Sequence, residues 1–187
     1  SAITTDGKVS ECKVLNCYKD IASFEVPANI RYAVYPHSAS TTFNTSTGTI
    51  SYTLSSEKSL SGTNEVFSDN ENPMVAEYDK EGMTFHNLCG YIELNLKGSQ
   101  TIYNISLRNG AESGDALHGA YSIDLTNPAT PVLKSATLPA EGNAIQGVVE
   151  SVALSTSKAT PFYFVVPPRT YSKLEIVVRS SAGFYTI

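Results

Sequence analysis

The sequence predicts an all-β protein organised as a two-sheet β-sandwich, and three observations support this prediction. Apolar and polar residues alternate with a period of two in several segments, as they do in strands with one face on a core. Charged residues make up only 17% of the chain, and Ser, Thr, Asn and Tyr, which suit pleated surfaces and turns, are abundant. No segment of ordinary helix length has an apolar stripe with helical spacing.

Alternation predicts three strands that are buried on one face. In each segment every second residue is apolar and the residues between are polar, so one face of the strand meets a core and the other meets water. The three apolar faces are Ile50, Tyr52 and Leu54; Tyr103, Ile105 and Leu107; and Leu174, Ile176 and Val178.

Two further segments, Ile30–Tyr35 and 162–166, are apolar on both faces and predict interior strands. Each is closed by proline, at Pro36 and at Pro167, which cannot donate a hydrogen bond to a strand ladder. The remaining predicted strands are 23–26, 83–88, 91–96, 119–124, 148–154 and 183–187.

A change of register predicts a corner in the middle of the chain. Met83 and Phe85 place the apolar face on odd numbers, whereas Ile92, Leu94 and Leu96 place it on even numbers. The register must therefore shift by one residue between Asn87 and Gly90, where we expect a bulge or corner with Gly90 in an unusual conformation. Strands that change sheet at such corners are typical of sandwiches.

The chain of 187 residues is long enough for one large domain or two small ones. Its longest stretch without periodicity, residues 55–72, is interpreted as a loop, because residues 1–54 offer few strands for an independent core. We therefore expect one β-sandwich domain over residues 1–187. Ser1 is expected to begin a mature or trimmed chain.

Three cysteines, Cys12, Cys17 and Cys89, allow at most one internal disulfide. On one straight strand Cys12 and Cys17 would be roughly 16 Å apart, well beyond the reach of a disulfide. A Cys12–Cys17 bridge therefore requires a turn through residues 14–16. The alternative is that the cysteines are small apolar core residues.

Several classes of function are disfavoured. A net charge of −5 without a basic cluster does not suit nucleic acid, and no apolar run is long enough to cross a bilayer. The sequence contains no phosphate-binding loop, no paired metal ligands and no nucleophile elbow. His37, His86 and His118 are interpreted as ordinary histidines, so we expect no enzyme, catalytic residue, metal or cofactor. An exported hydrolase would need two close carboxylates or a Ser–His pair.

Eleven tyrosines and no tryptophan raise carbohydrate binding as an alternative function. Tyrosine rings stack on sugars when several of them are exposed in one plane. The candidates for such a platform are Tyr18, Tyr52, Tyr78 and Tyr171. The other interpretation is that these tyrosines are ordinary strand residues.

Three stretches resemble the fimbrillin-like proteins of Bacteroidales. Residues 72–96 (NPMVAEYDKEGMTFHNLCGYIELNL) are similar to that family's PMxA phrase and the strand pair after it. Residues 102–124 and 162–178 are similar to its later strands and to its FY-x-x-x-PP-x-T-Y phrase. The match runs from about Ile30 to the C-terminus.

The resemblance implies a transthyretin-like Greek-key sandwich and a role as a pilus subunit, tip or anchor component, or surface adhesin. It also implies export as a lipoprotein to the outer membrane, cell surface or fimbrium, with membrane attachment only through a lipid anchor, which we expect to lie outside residues 1–187. Family members commonly carry a second sandwich domain, which would follow Ile187. The implied partners are other pilin-like subunits or host and bacterial surface receptors. A carbohydrate-binding module of a sandwich lipoprotein is the alternative.

The C-terminal segment gives the expected assembly a physical basis. Gly183, Phe184, Tyr185, Thr186 and Ile187 end the chain inside an apolar strand pattern. A strand with an open edge is a template for β-augmentation, in which main-chain hydrogen bonds supply affinity. We therefore expect this segment to pair with another subunit.

Overall fold

The computed structural model describes residues 1–18, 21–62, 72–80, 82–110, 116–134 and 143–187. Within these ranges the secondary structure consists of nineteen β-strands in five sheets, without helices. The all-β class predicted from the alternation is therefore confirmed.

The strands are numbered in chain order. Those of the first half are β1 (Ala2–Thr4), β2 (Val9–Ser10), β3 (Lys13–Tyr18), β4 (Ile21–Glu25), β5 (Ile30–Tyr35), β6 (Thr42–Asn44), β7 (Thr49–Leu54), β8 (Glu57–Leu60), β9 (Met74–Asp79), β10 (Gly82–Met83) and β11 (His86–Asn87). Those of the second half are β12 (Gly90–Leu96), β13 (Thr101–Asn109), β14 (Gly119–Asp124), β15 (Val132–Lys134), β16 (Ala144–Ala153), β17 (Thr160–Val166), β18 (Leu174–Ser180) and β19 (Gly183–Thr186).

The chain forms two compact units, each built from segments that are distant in sequence. The first contains residues 1–52, 72–88 and 122–134, and the second contains residues 53–71, 89–121 and 135–187. Neither unit is a continuous half of the chain. A single domain over residues 1–187 stays a prediction.

In the first unit, β5 lies inside an antiparallel sheet of order β10-β9-β5-β1-β2, with β11 also paired to β9. Its hydrophobic residues are among the most buried in the chain: Ile3 is 0%, Val34 1% and Val75 0% exposed. A strand covered on both faces needs apolar residues on both, which explains the continuous apolar run of β5.

The second unit contains a five-stranded sheet of order β19-β18-β13-β16-β8 and the strand pair β12-β17. Their inward side chains form one hydrophobic cluster, in which Ile105, Leu107 and Phe164 are fully buried. β18 lies between β13 and β19, so β19 is the last strand at one edge of this sheet.

Several sequence predictions are confirmed. β5 ends at Tyr35 and β17 ends at Val166, each directly before a proline. The predicted corner also forms, because β11 pairs with β9 whereas β12 pairs with β17 in another sheet. The expected conformation of Gly90 is wrong, since its φ lies outside the positive region and it simply opens β12.

Two strand predictions need correction. Tyr103 was expected on the buried face of its strand, but it is 40% exposed, because β13 has a register shift between Ile102 and Asn104. Residues 55–72 were interpreted as a loop, yet they contain β8, which pairs in parallel with β16. The scarcity of strands expected in residues 1–54 is also wrong, since β1 to β7 lie there.

Candidate functional site

The outer edge of β19 is the first candidate site, and its geometry follows from the hairpin that it forms with β18. The Ile187 N–H donates to the Ile176 carbonyl at 2.9 Å, and the Ile176 N–H donates to the Ile187 carbonyl at 3.0 Å. Thr186 and Tyr185 lie opposite Val177 and Val178 in the same ladder. The segment predicted from sequence therefore forms a regular antiparallel strand.

The ladder decides which main-chain groups of β19 face outward. In an antiparallel pair, residues alternate between bonding the partner strand and pointing away from it. Since Ile187 bonds to β18, Tyr185 and Gly183 do so as well. The N–H and C=O groups of Phe184 and Thr186 therefore point to the open side, where the described residues supply no neighbouring strand.

The side chains of β19 divide between two faces. Tyr185 lies opposite Val178, which is 4% exposed and belongs to the hydrophobic cluster. Tyr185 and Ile187 thus extend the core-facing side of the sheet, yet they are 50% and 68% exposed. Phe184, on the other face, is 73% exposed. The core side of the sheet is consequently left uncovered at this edge.

The hairpin formed by β3 and β4 is a second exposed feature. It is a separate two-stranded sheet, and every β3 residue is exposed. Val14, Leu15 and Tyr18 are 51%, 61% and 69% exposed. An isolated two-stranded sheet is only marginally stable in water, so further strand pairing would stabilise this one.

Register divides the side chains of this hairpin between two faces. Residues directly opposite each other share a face. One face has Val14 opposite Phe24 and Cys17 opposite Ala22, and the other has the polar pairs Lys13–Glu25 and Asn16–Ser23, with Tyr18 at its end. β3 has a register shift at Leu15, while β4 is regular.

All three cysteines are free in the structure, so the Cys12–Cys17 bridge weighed from the sequence is not formed. The turn that a bridge requires is absent, because residues 13–18 continue as the extended strand β3. Cys17 is exposed, and Cys89 is half-buried in the second unit. Burial raises the pKa of the Cys89 thiol to about 12, against the opposing effect of the nearby Lys58 charge.

A polar cleft of about 370 Å³ lies within the first unit. Its charged lining consists of Arg31, Asp124 and Lys134, with Ser and Thr residues between them. The Arg31 guanidinium carbon lies 4.9 Å from the centroid of the Tyr32 ring, a cation–π distance. The cleft therefore offers several hydrogen-bonding groups and one aromatic ring.

Asp124 is held by three donors on the cleft wall. Its Oδ2 atom lies 2.7 Å from Lys134 Nζ, and Oδ1 accepts from the Thr126 N–H at 2.9 Å and from the Thr126 hydroxyl at 2.6 Å. The bonds from Lys134 and Thr126 lower the pKa of the Asp124 carboxyl well below its ordinary value. This carboxylate is therefore ionised at neutral pH and cannot act as a general acid there.

The four tyrosines proposed as a sugar platform do not share one environment. Tyr18 and Tyr78 are 69% and 49% exposed, but Tyr52 is only 6% exposed. The Tyr171 hydroxyl donates to the Pro167 carbonyl at 2.8 Å, which is a local structural contact. The set as a whole is therefore not a stacking surface.

The structure brings one serine and one histidine together. Ser1 Oγ lies 2.8 Å from His37 Nδ1, and His37 Nε2 lies 4.0 Å from a Glu11 carboxylate oxygen. Ser1 is only 9% exposed, and its carbonyl accepts from the Val34 N–H at 2.8 Å. A nucleophile must reach its substrate, so this geometry suits a contact that fixes the start of β1 beside β5.

The other two histidines differ in their surroundings. His86 is half-buried in β11, as a strand residue is expected to be. His118 directly precedes β14 and is only 3% exposed.

Metal and membrane features were also sought over the described ranges. Those residues contain no group of three or more His, Cys, Asp or Glu side chains placed to hold a metal ion. They likewise contain no helix that is long and apolar enough to span a bilayer.

Comparisons of the chain with protein-family models, curated proteins and solved structures found no match. The resemblance to the fimbrillin-like family therefore rests on the motifs in residues 72–96, 102–124 and 162–178.

Sequence reasoning found β19 but missed the exposed hairpin as a unit. The bulge at Leu15 breaks the alternation of β3, and only the 23–26 part of the hairpin was predicted as a strand. The signal that was available is the equal spacing of Cys17 and Ala22 about the midpoint of residues 19–20. The bulge at Leu15 shifts Val14 and Phe24 out of this symmetry by one residue. Mirror-related apolar positions are what a hairpin face requires.

Proposed function

We propose that the protein is a non-enzymatic subunit of a pilus or cell-surface adhesin that assembles by pairing β-strands between chains. The observation on which this rests is the open edge of β19, where the main-chain groups of Phe184 and Thr186 point away from β18. An added strand would satisfy these groups and cover the exposed Tyr185 and Ile187 side chains.

Three other sheet edges are shorter than β19. β2, β6 and β15 end their sheets with two or three residues each, and short edge strands are a common protection against pairing with another chain. β19 has a regular ladder of five positions including Ile187, with three large exposed hydrophobic side chains. This difference favours β19 over these three edges as the assembly edge.

The resemblance to fimbrillin-like proteins supports the biological setting of the proposal. The proposal includes the finer fold class that the resemblance implies, which is a single two-sheet, transthyretin-like Greek-key sandwich over residues 1–187. The partners are other pilin-like subunits or host and bacterial surface receptors. The protein is exported to the outer membrane, cell surface or fimbrium, and any membrane attachment is through a lipid anchor.

The direct test is Thr186→Pro, with Thr186→Val as the matched control. Proline removes the outward N–H of residue 186 and leaves the β18 ladder intact, whereas valine keeps the N–H. Self-association is measured by sedimentation over a wide range of protein concentration, and the melting temperature checks folding.

We expect the wild type and Thr186→Val to associate alike. For Thr186→Pro we expect an apparent dissociation constant raised by about tenfold or more, since edge pairing depends on main-chain hydrogen bonds. A wild-type protein that stays monomeric at the highest concentrations would contradict the proposal, as would unchanged association of the proline variant.

Carbohydrate binding is the second candidate function, and the polar cleft is the observation that favours it. Its volume is in the range of small-ligand sites, and Arg31, Asp124 and Lys134 supply hydrogen-bonding groups. A glycan array with the wild type and Arg31→Ala is the test. Hits that are lost in Arg31→Ala would support this function, and an array without hits would contradict it.

A further inference from the structure

The exposed hairpin and the open β19 edge are complementary features of one chain. β19 lacks a neighbour on its outer side, and its core-facing side chains, Tyr185 and Ile187, are uncovered. The β3–β4 hairpin has one apolar face and joins no larger sheet in the described structure. The hairpin could supply the neighbouring strand that β19 lacks, and the sheet of β19 could supply the larger sheet that the hairpin lacks.

We infer that β4 of a second copy of this chain is the strand that pairs with the outer edge of β19. This inference rests on the proposed function, because it names the partner of the same edge. The occupant is a second copy, since one sequence provides both the acceptor edge and a hairpin with an apolar face that joins no larger sheet in the described residues. The regular ladder of β4 makes it a better neighbour than β3, which has the register shift at Leu15.

The two faces of the hairpin fit the two faces of the edge. A strand added beside β19 must present apolar side chains next to Tyr185 and Ile187, where it continues the core side of the sheet. Phe24 and Ala22 of β4 share such an apolar face with Val14 and Cys17 of β3. Ser23 and Glu25 then lie on the same side as Phe184 and Thr186, facing solvent.

The geometry also determines the kind of assembly. The hairpin and the edge are different surfaces, so the contact between two copies is heterologous, and each bound copy still offers a free edge or a free hairpin. Such a contact extends head to tail, into a closed ring or an open chain of subunits. A contact between two β19 edges would instead stop at a dimer.

Two variants separate the inference from the proposed function. Phe24→Asp places a charge on the apolar face of the hairpin, where Phe24 is 39% exposed and its replacement leaves the core intact. Tyr78→Asp, at an aromatic residue that is 49% exposed in β9, is the matched control. Thr186→Pro removes the outward N–H of residue 186 from the β19 edge and leaves the β3–β4 hairpin unchanged.

We expect Phe24→Asp and Thr186→Pro each to be monomeric when alone, and Tyr78→Asp to associate like the wild type. Mixed in equal amounts, the first two variants should form a one-to-one dimer of about twice 20.1 kDa, and nothing larger. This dimer joins the intact β19 edge of the Phe24→Asp chain to the intact hairpin of the Thr186→Pro chain.

The remaining outcomes distinguish failure of the hairpin as the partner from failure of the β19 edge as the assembly surface. If Phe24→Asp associates like the wild type while Thr186→Pro does not, the hairpin is not the partner, but assembly through the β19 edge stands. Two monomeric variants that form no mixed dimer also overturn the hairpin as partner. If Thr186→Pro associates normally, the edge itself is wrong and both proposals fall.

Discussion

Gly147 packs so closely against the carbonyl oxygen of Ile105 that a Cβ atom at position 147 would lie 2.6 Å from it. The two residues are direct neighbours in the ladder between β13 and β16. Leu60 of β8 crowds the same position. The central strands of the second unit therefore require a residue without a side chain at this point, because a backbone oxygen cannot easily move aside.

Gly147→Ala should destabilise the protein by about 1–3 kcal/mol, the usual cost of overpacking. Gly90→Ala is the matched control, because a Cβ there meets nothing within 4 Å and the φ of Gly90 is ordinary. Its effect should stay within about 0.5 kcal/mol. Urea unfolding of both variants measures the difference, and equal stabilities would refute the packing of β8 and β13 against β16.

The Asp124–Lys134 pair should make stability depend on acid pH. The pKa of Asp124 is lower in the folded protein than in the unfolded chain. Its stabilising effect is therefore present above the unfolded value of about 3.9 and is lost as the pH falls through the lower, folded value. Asp124→Asn should consequently show a smaller fall in melting temperature between neutral pH and pH 2 than the wild type.

Lys134→Met removes the hydrogen bond from Lys134, which is the largest cause of the lowered Asp124 pKa. This variant should therefore also show a smaller fall in melting temperature at acid pH than the wild type. Melting temperatures of the three proteins over the same buffers provide the comparison. Parallel profiles for all three would show that the pair does not contribute to acid sensitivity.

The cysteines should differ sharply in reactivity. Since a thiolate is the reactive form, the exposed Cys17 should be alkylated much faster at pH 8 than Cys89, whose pKa burial raises to about 12. Mass spectrometry after timed iodoacetamide labelling, with and without urea, measures this order. Rapid native labelling of Cys89 would contradict its burial, and resistance of Cys17 would point to a bridge.

The sequence predicts those strands whose burial follows a simple period. Ile50, Tyr52 and Leu54 alternate and are all buried, and the proline after Tyr35 marks the end of β5. Where a bulge adds a residue, the period fails. Tyr103 and Leu15 are such positions, because a strand can absorb one extra residue without a local sequence signal as clear as proline.

Pairing between distant strands was the part that the sequence could not supply. β8 joins β16 in parallel, although nearly ninety positions separate Glu57 from Gln146. Sequence likewise does not show that β19 lies at a sheet edge or that the β3–β4 hairpin is exposed, because both depend on how the strands pair in the folded chain. Apolar residues that are exposed in the folded chain look the same in sequence as those of a core, so exposure had to come from the structure.

Amide hydrogen exchange at β19 tests most directly whether its outer edge is the assembly surface. Tyr185 and Ile187 donate their N–H groups to β18, so their exchange should be slow at every protein concentration. The amides of Phe184 and Thr186 should exchange rapidly in dilute protein and become protected by about tenfold or more as the chains associate. Protection elsewhere, with Phe184 and Thr186 still exchanging rapidly in the associated protein, would contradict assembly through this edge.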